Sequence, residues 1–203
     1  MPSPSSILSD EFVRRLKSLE QTRKEVESLC RRGELTRRAT EQVYGAILLN
    51  TVTSFEELIE SLFLGLLDGT LRPRTGVRPR MTFKSSVVAR EVVLGGRSYV
   101  DWFPYTRFTE KRAGAFFTGG RPFTEPSDAD KKFLENLMII RNAIAHQSLH
   151  SRKQFEREII SGIALLPRER TPVGYLRSLL TPTQTRFEQL SAECARLAYQ
   201  LCG

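Results

Sequence analysis

Histidine is almost missing from this chain: of 203 residues only His146 and His150 carry an imidazole. Their four-residue spacing alone does not make a metal site. No acidic or cysteine partner stands at matching spacing and no HExxH motif occurs, so no metal and no cofactor are expected. Cysteine is equally scarce. Cys30, Cys194 and Cys202 are odd in number and lack CxxC spacing, which argues against a disulfide framework or a zinc site and favours a reducing cytoplasm. No apolar stretch reaches the roughly 18 to 20 residues needed to span a bilayer, "LIESLFLGLL" being too short. The opening "MPSPSSILSDEF" lacks the basic start and apolar run of a secretory leader. Neither an internal repeat nor a low-complexity tract is present. What remains, with 40% hydrophobic and 27% charged residues, suits one soluble cytoplasmic domain over residues 1–203.

The charge that is present is unevenly placed. Residues 72 to 121 hold nine arginines and two lysines against only Glu91, Asp101 and Glu110, while the rest of the chain balances to zero. The whole net charge of +8 therefore belongs to one segment, which is the electrostatic footprint of a polyanion partner. Arginine outnumbers lysine 24 to 7, and its planar fork matches phosphate better than a point charge does. A GC-rich genome is the alternative source of that ratio, but it leaves the clustering unexplained.

Apolar spacing predicts a helical bundle. Phe12, Val13, Leu16, Leu19, Val26 and Leu29 place a first helix over about 10–32, stopped at Gly33. A second spans about 34–67 and ends at "DGT", where Gly69 can turn left-handed; apolar residues nearly encircle its second half, so it should be the most buried element. The basic stretch, about 70–126, breaks this pattern and reads as an insertion between the second and third long helices. Within it, "MTFKSSVVAREVVLGGRSYVDWF" alternates around a Gly-Gly and suggests a β-hairpin. Ser127 can cap a third long helix with Asp128 and Asp130 in its first turn, running through "KKFLENLMIIRNAIAHQ". A shorter helix follows in "SRKQFEREIIS", then a loop containing "VGYLRSLL". The last helix should open at Thr181-Pro182, with Phe187, Leu190, Cys194, Leu197 and Leu201 in an a/d-type row.

The third helix ends on "RNAIAH". Phe133, Leu137, Ile140 and Ile144 form its core stripe, while Glu135, Asn142 and His146 share another direction. Arg141 and His146 are five residues apart, so their Cα vectors diverge by about 140° and sit about 7.5 Å apart along the axis. One rigid helix cannot aim both at one point. A second copy packed across a two-fold axis would bring paired groups together, unless the histidine is a helix-end cap and the arginine a surface ion pair.

R-N-x-x-x-H near the end of a long helix resembles the signature of the HEPN superfamily, small α-helical domains that include metal-independent ribonucleases of defence and toxin–antitoxin systems. "TVTSFEELIESLF" is similar to the aromatic-Glu helix of the RiboL-PSP-type branch. "YVDWFPYTRFTEKRAGAFFTGGRPF" looks like that branch's insert, and "GYLRSLL" before a final helix fits its C-terminal part. The likeness covers about residues 40 to 200. It implies an all-α, HEPN-like bundle with a basic, partly β-hairpin or irregular insertion, and a homodimer whose two motifs form one cleft for RNA.

The chemistry such a cleft needs is modest, because RNA carries its own nucleophile in the 2′-hydroxyl. His146 is of the one type whose ordinary pKa lies near neutrality, so it can take or give that proton. Arg141 can hold two phosphate oxygens as charge builds on them. Asn142 can hydrogen-bond a ring nitrogen or the substrate, and the likeness makes Glu56 the acid that would fix the Arg141 rotamer, although Glu56 and Glu60 also suit a solvated helix edge. Arg97, Arg107, Lys111 and Arg112 are candidates to guide an RNA backbone. Trp102, Phe103 and Tyr105 are available to stack on unpaired bases, or else to pack. The leading expectation is an RNA endonuclease held in check by an antitoxin or defence-system partner. A non-catalytic HEPN nucleic-acid- or nucleotide-binding or assembly module is the alternative, and a DNA-binding regulator would need a helix-turn-helix pattern that the chain does not display.

Overall fold

In a computed structural model of the chain, which describes residues 3–146 and 148–203, helices hold 68% of the residues and strands 6%. The fold is all-α with a small irregular insertion. The helices are α1 (Ser6–Arg31), α2 (Arg37–Asp68), α3 (Ser86–Leu94), α4 (Lys111–Phe116), α5 (Asp128–Ala145), α6 (Leu149–Glu158), α7 (Pro172–Arg177) and α8 (Arg186–Cys202). Two small sheets accompany them. In one, β1 (Ser3–Pro4) runs parallel to β2 (Leu71–Arg72), Ser3 opposite Leu71. In the other, β3 (Leu179–Thr181) runs antiparallel to β4 (Gln184–Thr185). Among the described residues no helix is long and apolar enough to cross a membrane.

The chain forms two compact units. The first holds Met1–Val13, Ser54–Glu135 and Ala195–Gly203, the second Arg14–Thr53 and Asn136–Cys194. In the first unit Phe63 of α2 is the hub of an aromatic cluster. Trp102, Phe116, Phe117 and Phe123 of the insertion meet its ring at 5.2, 5.6, 4.9 and 5.1 Å between centroids. Edge-on and tilted pairs of this kind contribute about 0.5–1.5 kcal/mol each beyond area burial, so the insertion folds onto α2 through side chains. Two of its buried polar groups are paired as well, Tyr105 Oη donating to the Phe123 carbonyl at 2.9 Å and Thr109 Oγ1 to the Trp102 carbonyl at 2.5 Å.

In the second unit Tyr44, Ile47 and Leu48 of α2 are buried, as are Leu137 and Ile140 of α5, Phe155 of α6 and Leu176 of α7. Phe187, Leu190 and Cys194 of α8, with Leu197 and Leu201 on its first-unit end, are buried in the row their spacing predicts. The three cysteines are free. Burial pushes the Cys194 and Cys202 thiols up to about 12, which keeps them protonated and unreactive at neutral pH.

Two local expectations fail. The stretch read as a β-hairpin forms helix α3. Its β-branched residues imitate a strand, but Ala89 and Val93, one turn apart, are both buried. The Gly-Gly then acts as a helix stop, Gly95 turning left-handed at φ 58° and donating its N–H to the Glu91 carbonyl at 3.0 Å. Strand-like pairing in the insertion lies elsewhere, where Arg80 N–H donates to the Phe116 carbonyl and Thr118 N–H to that of Arg78. Nor does the last helix open at Thr181-Pro182. Thr181 ends β3, and α8 starts at Arg186 because Thr185 and Glu188 cap each other: Glu188 N–H donates to Thr185 Oγ1 at 3.2 Å and Thr185 N–H to Glu188 Oε2 at 2.7 Å.

Candidate active site and basic groove

Helix α5 begins where the sequence places it. Ser127 Oγ accepts from the Asp130 N–H at 3.2 Å, and Asp130 Oδ2 accepts from the Ser127 N–H at 2.8 Å. Burial raises the Asp130 carboxyl, but Ser127 and the Arg196 guanidinium outweigh it and hold it below the usual carboxylate range. Leu134, Leu137, Ile139 and Ile140 are buried along the helix, with Phe133 and Ile144 only half-buried. Its last hydrogen bond runs from the His146 N–H to the Asn142 carbonyl at 2.9 Å. Ser148 then caps α6, accepting from the Ser151 N–H at 3.2 Å.

The motif residues share this helix end. Arg141 and Asn142 are half-buried and His146 is exposed, so none is sealed in an apolar interior. Arg141 Nη1 donates to Asn142 Oδ1 at 3.1 Å. Asn142 is therefore tied to the guanidinium, while its two N–H donors have no partner among the described residues. His150 is exposed on α6. Glu56 is half-buried on the part of α2 that belongs to the first unit, whereas the motif belongs to the second. Among the described residues no group of three or more His, Cys, Asp or Glu has the arrangement to hold a metal ion.

All four basic candidates of the insertion line one groove. Arg97, Arg107, Lys111 and Arg112 surround an open cavity of about 500 Å³ walled by Val93, Leu94, Gly95 and Phe108. No carboxylate lines it. Arg112 feels this: burial first, then repulsion from Arg97, lowers its guanidinium from the ordinary value, with Asp101 opposing. It is fixed by donating to the Asp101 carbonyl at 2.9 Å and by lying over the Trp102 ring at 4.9 Å. Four converging cations with no carboxylate in the lining favour an anion.

The aromatic part of the expectation is corrected. Trp102 is 3% exposed, Phe103 8% and Tyr105 1%, so none of these rings has a face open to a base. Trp102 is held by Phe63, by Arg112, and by Nε1 donating to Glu60 Oε2 at 3.1 Å. The hydroxyl of Tyr105 is spent inside the insertion. Glu60 also pairs with Arg90 at 3.1 Å, which makes it a strut between α2 and the insertion. A second cavity, in the second unit, escaped sequence reasoning. Its walls come from four separate stretches of chain that share no motif.

Compared with models of protein families, with curated proteins and with solved structures, the chain matches none.

Proposed function

We propose that the protein is a metal-independent RNA endonuclease of the HEPN type, with a toxin or defence role, that cuts RNA at a composite site in a homodimer. The observation that carries this reading is the end of α5, where the Arg141 guanidinium is held by the Asn142 amide and His146, directly after the helix, is exposed. His146 takes the proton of the 2′-hydroxyl as that oxygen attacks the phosphorus. Arg141 binds the phosphoryl oxygens and offsets the charge that grows on them. The 5′-oxygen leaves with a proton from the partner's His146, giving a 2′,3′-cyclic phosphate and a 5′-hydroxyl. Each protomer supplies one Arg and one His because a five-residue offset splays the pair on a single helix. The groove of Arg97, Arg107, Lys111 and Arg112 supports a backbone grip for the same RNA, and a cytoplasmic antitoxin or defence-system partner would restrain the activity.

The test is incubation of the purified protein with single-stranded RNA and, separately, DNA in EDTA. Cleavage of RNA alone, lost in Arg141→Ala and in His146→Ala, is the expected result. Cleavage unchanged in both variants overturns the proposal. Binding without cleavage favours a non-catalytic nucleic-acid-binding module, a reading that the basic groove supports by itself.

A further inference from the structure

The second unit contains a cavity of about 740 Å³ that RNA cleavage does not require. Its floor is a chain of charged groups. Arg23, only 5% exposed, donates to Tyr44 Oη at 2.9 Å and pairs with Glu20 and Glu188 at 2.5 Å each. Arg177 donates to both oxygens of Glu27, at 2.7 and 3.2 Å. Tyr44 is fully buried, with the Arg23 and Arg177 guanidinium carbons 5.9 and 5.6 Å from its ring centre. Every charge on this floor is already answered, and the two arginines are locked in place.

The rim is different. Lys24, Arg31, Arg37 and Arg168 stand there with Glu169. Arg37 pairs with Glu41 at 2.7 Å and Lys24 with Glu20 at 3.9 Å, and Arg37 Nη2 also donates to the Arg168 carbonyl at 3.3 Å, which draws these two together. Among the described residues, neither Arg31 nor Arg168 has a carboxylate partner: Arg31 reaches only the Glu27 carbonyl at 3.4 Å, and no acceptor for the Arg168 guanidinium appears. Glu169 is engaged by the Leu166 N–H at 3.1 Å. The lining counts six cations against three carboxylates, two of which are neutralised by floor arginines. With Arg37 answered by Glu41 and Lys24 by Glu20, the positive surplus at the mouth is that of Arg31 and Arg168.

We infer that this cavity binds a small solute bearing several phosphate charges. Its volume falls within the roughly 300–1,000 Å³ of small-molecule sites. The polar floor disfavours an apolar occupant, which would strip water from charged groups without replacing their hydrogen bonds. The rim guanidinium forks suit phosphate oxygens, and more than one such fork calls for more than one negative charge. A concave site with a buried floor takes a compact solute, whereas a strand of RNA needs an open track.

The walls also reach the motif helix. Tyr44 precedes Gly45, where a Cβ would stand 3.2 Å from Ile144 Cγ2 and 4.0 Å from Val173 Cγ2. Ile144 lies two residues before His146, and Val173 adjoins the cavity residue Gly174. A ligand that braces α2 and α7 therefore bears on the last turn of α5. If the nuclease reading holds, this makes the cavity a regulatory site, but binding itself does not depend on that reading.

Calorimetry of the full chain with inorganic tripolyphosphate at fixed ionic strength tests the inference, with no cleavage readout involved. In Arg97→Gln/Arg107→Gln, which weakens the competing basic groove, we expect one saturable site to remain, and adding Arg31→Gln/Arg168→Gln should make it at least about tenfold weaker. Both pairs are exposed, so folding is not at stake. Hydrogen exchange should show protection of α7 and of α2 around Tyr44. Absence of saturable binding, loss in the groove variant instead, or equal affinity for citrate each overturns it.

Discussion

Arg141 Nη1 and Asn142 Oδ1 lie 3.1 Å apart, so two consecutive residues of α5, which point 100° apart on an ideal helix, turn their side chains toward one another. The bond fixes the azimuth of a long, flexible guanidinium and leaves its remaining donors for a phosphate. In the proposed cleavage Asn142 is thus a positioning residue. Asn142→Ala should slow RNA cleavage by about 10- to 100-fold, the scale set by misplacing a transition-state contact, without changing the melting temperature. Arg141→Ala should lose about 100- to 1,000-fold. Arg141→Lys should not restore it, because the forked contact is gone. Single-turnover kinetics on one RNA oligonucleotide check all three.

The basic groove makes a separate prediction about salt. Replacing Arg97, Arg107 and Lys111 together by Gln should weaken single-stranded RNA binding and flatten its dependence on log salt by roughly 2, at about 0.7 per lost phosphate contact. Filter binding at several salt concentrations measures the slope. An unchanged slope would place the RNA elsewhere.

Buried aromatics predict stability. Phe63→Ala removes the centre of the first unit's cluster and should cost about 3–5 kcal/mol. Trp102→Phe keeps most of the ring contact but loses the bond to Glu60, and should cost about 1 kcal/mol with no effect on RNA affinity. Urea denaturation and a binding isotherm on the same samples separate packing from stacking.

Acid should destabilise the protein through three carboxylates. Burial works against ionisation of Asp130, Glu27 and Glu188, yet each is held below its ordinary range: Asp130 by Ser127 and Arg196, Glu27 by Arg177, and Glu188 by Thr185 and Arg23. A carboxylate depressed in the folded state contributes stability that is complete above its unfolded value and is lost as pH falls through the folded one. The melting temperature should therefore drop below about pH 4, where free carboxylates begin to protonate. In Glu27→Gln the deficit relative to wild type should be largest near pH 7 and shrink over that acid limb. A deficit constant with pH would exclude the ionic contribution.

Local rules were enough to determine most of the helices. The capping pair Ser127 and Asp130, the buried row from Phe187 to Leu201, and the nearly all-apolar second half of α2 were visible because period, cap and stop depend on residues a few positions apart. The Arg-Asn-x-x-x-His motif was visible as a pattern for the same reason, and the structure adds that Arg141 and Asn142 are joined at the end of α5 with His146 exposed just after it. Other features needed the tertiary structure. Val87, Val88 and Val92 look like a strand until contacts at Ala89 and Val93 select a helix, and Trp102 looks like a base platform until Phe63 and Glu60 claim it. Arg97 meets Arg107, Lys111 and Arg112 in one groove, and Arg23 meets Tyr44, Arg177 and Glu188 under one cavity, only after the chain has folded. Such contacts join positions between ten and more than a hundred residues apart. No local period encodes them, because it is burial and charge pairing summed over a whole unit that decide which distant side chains converge.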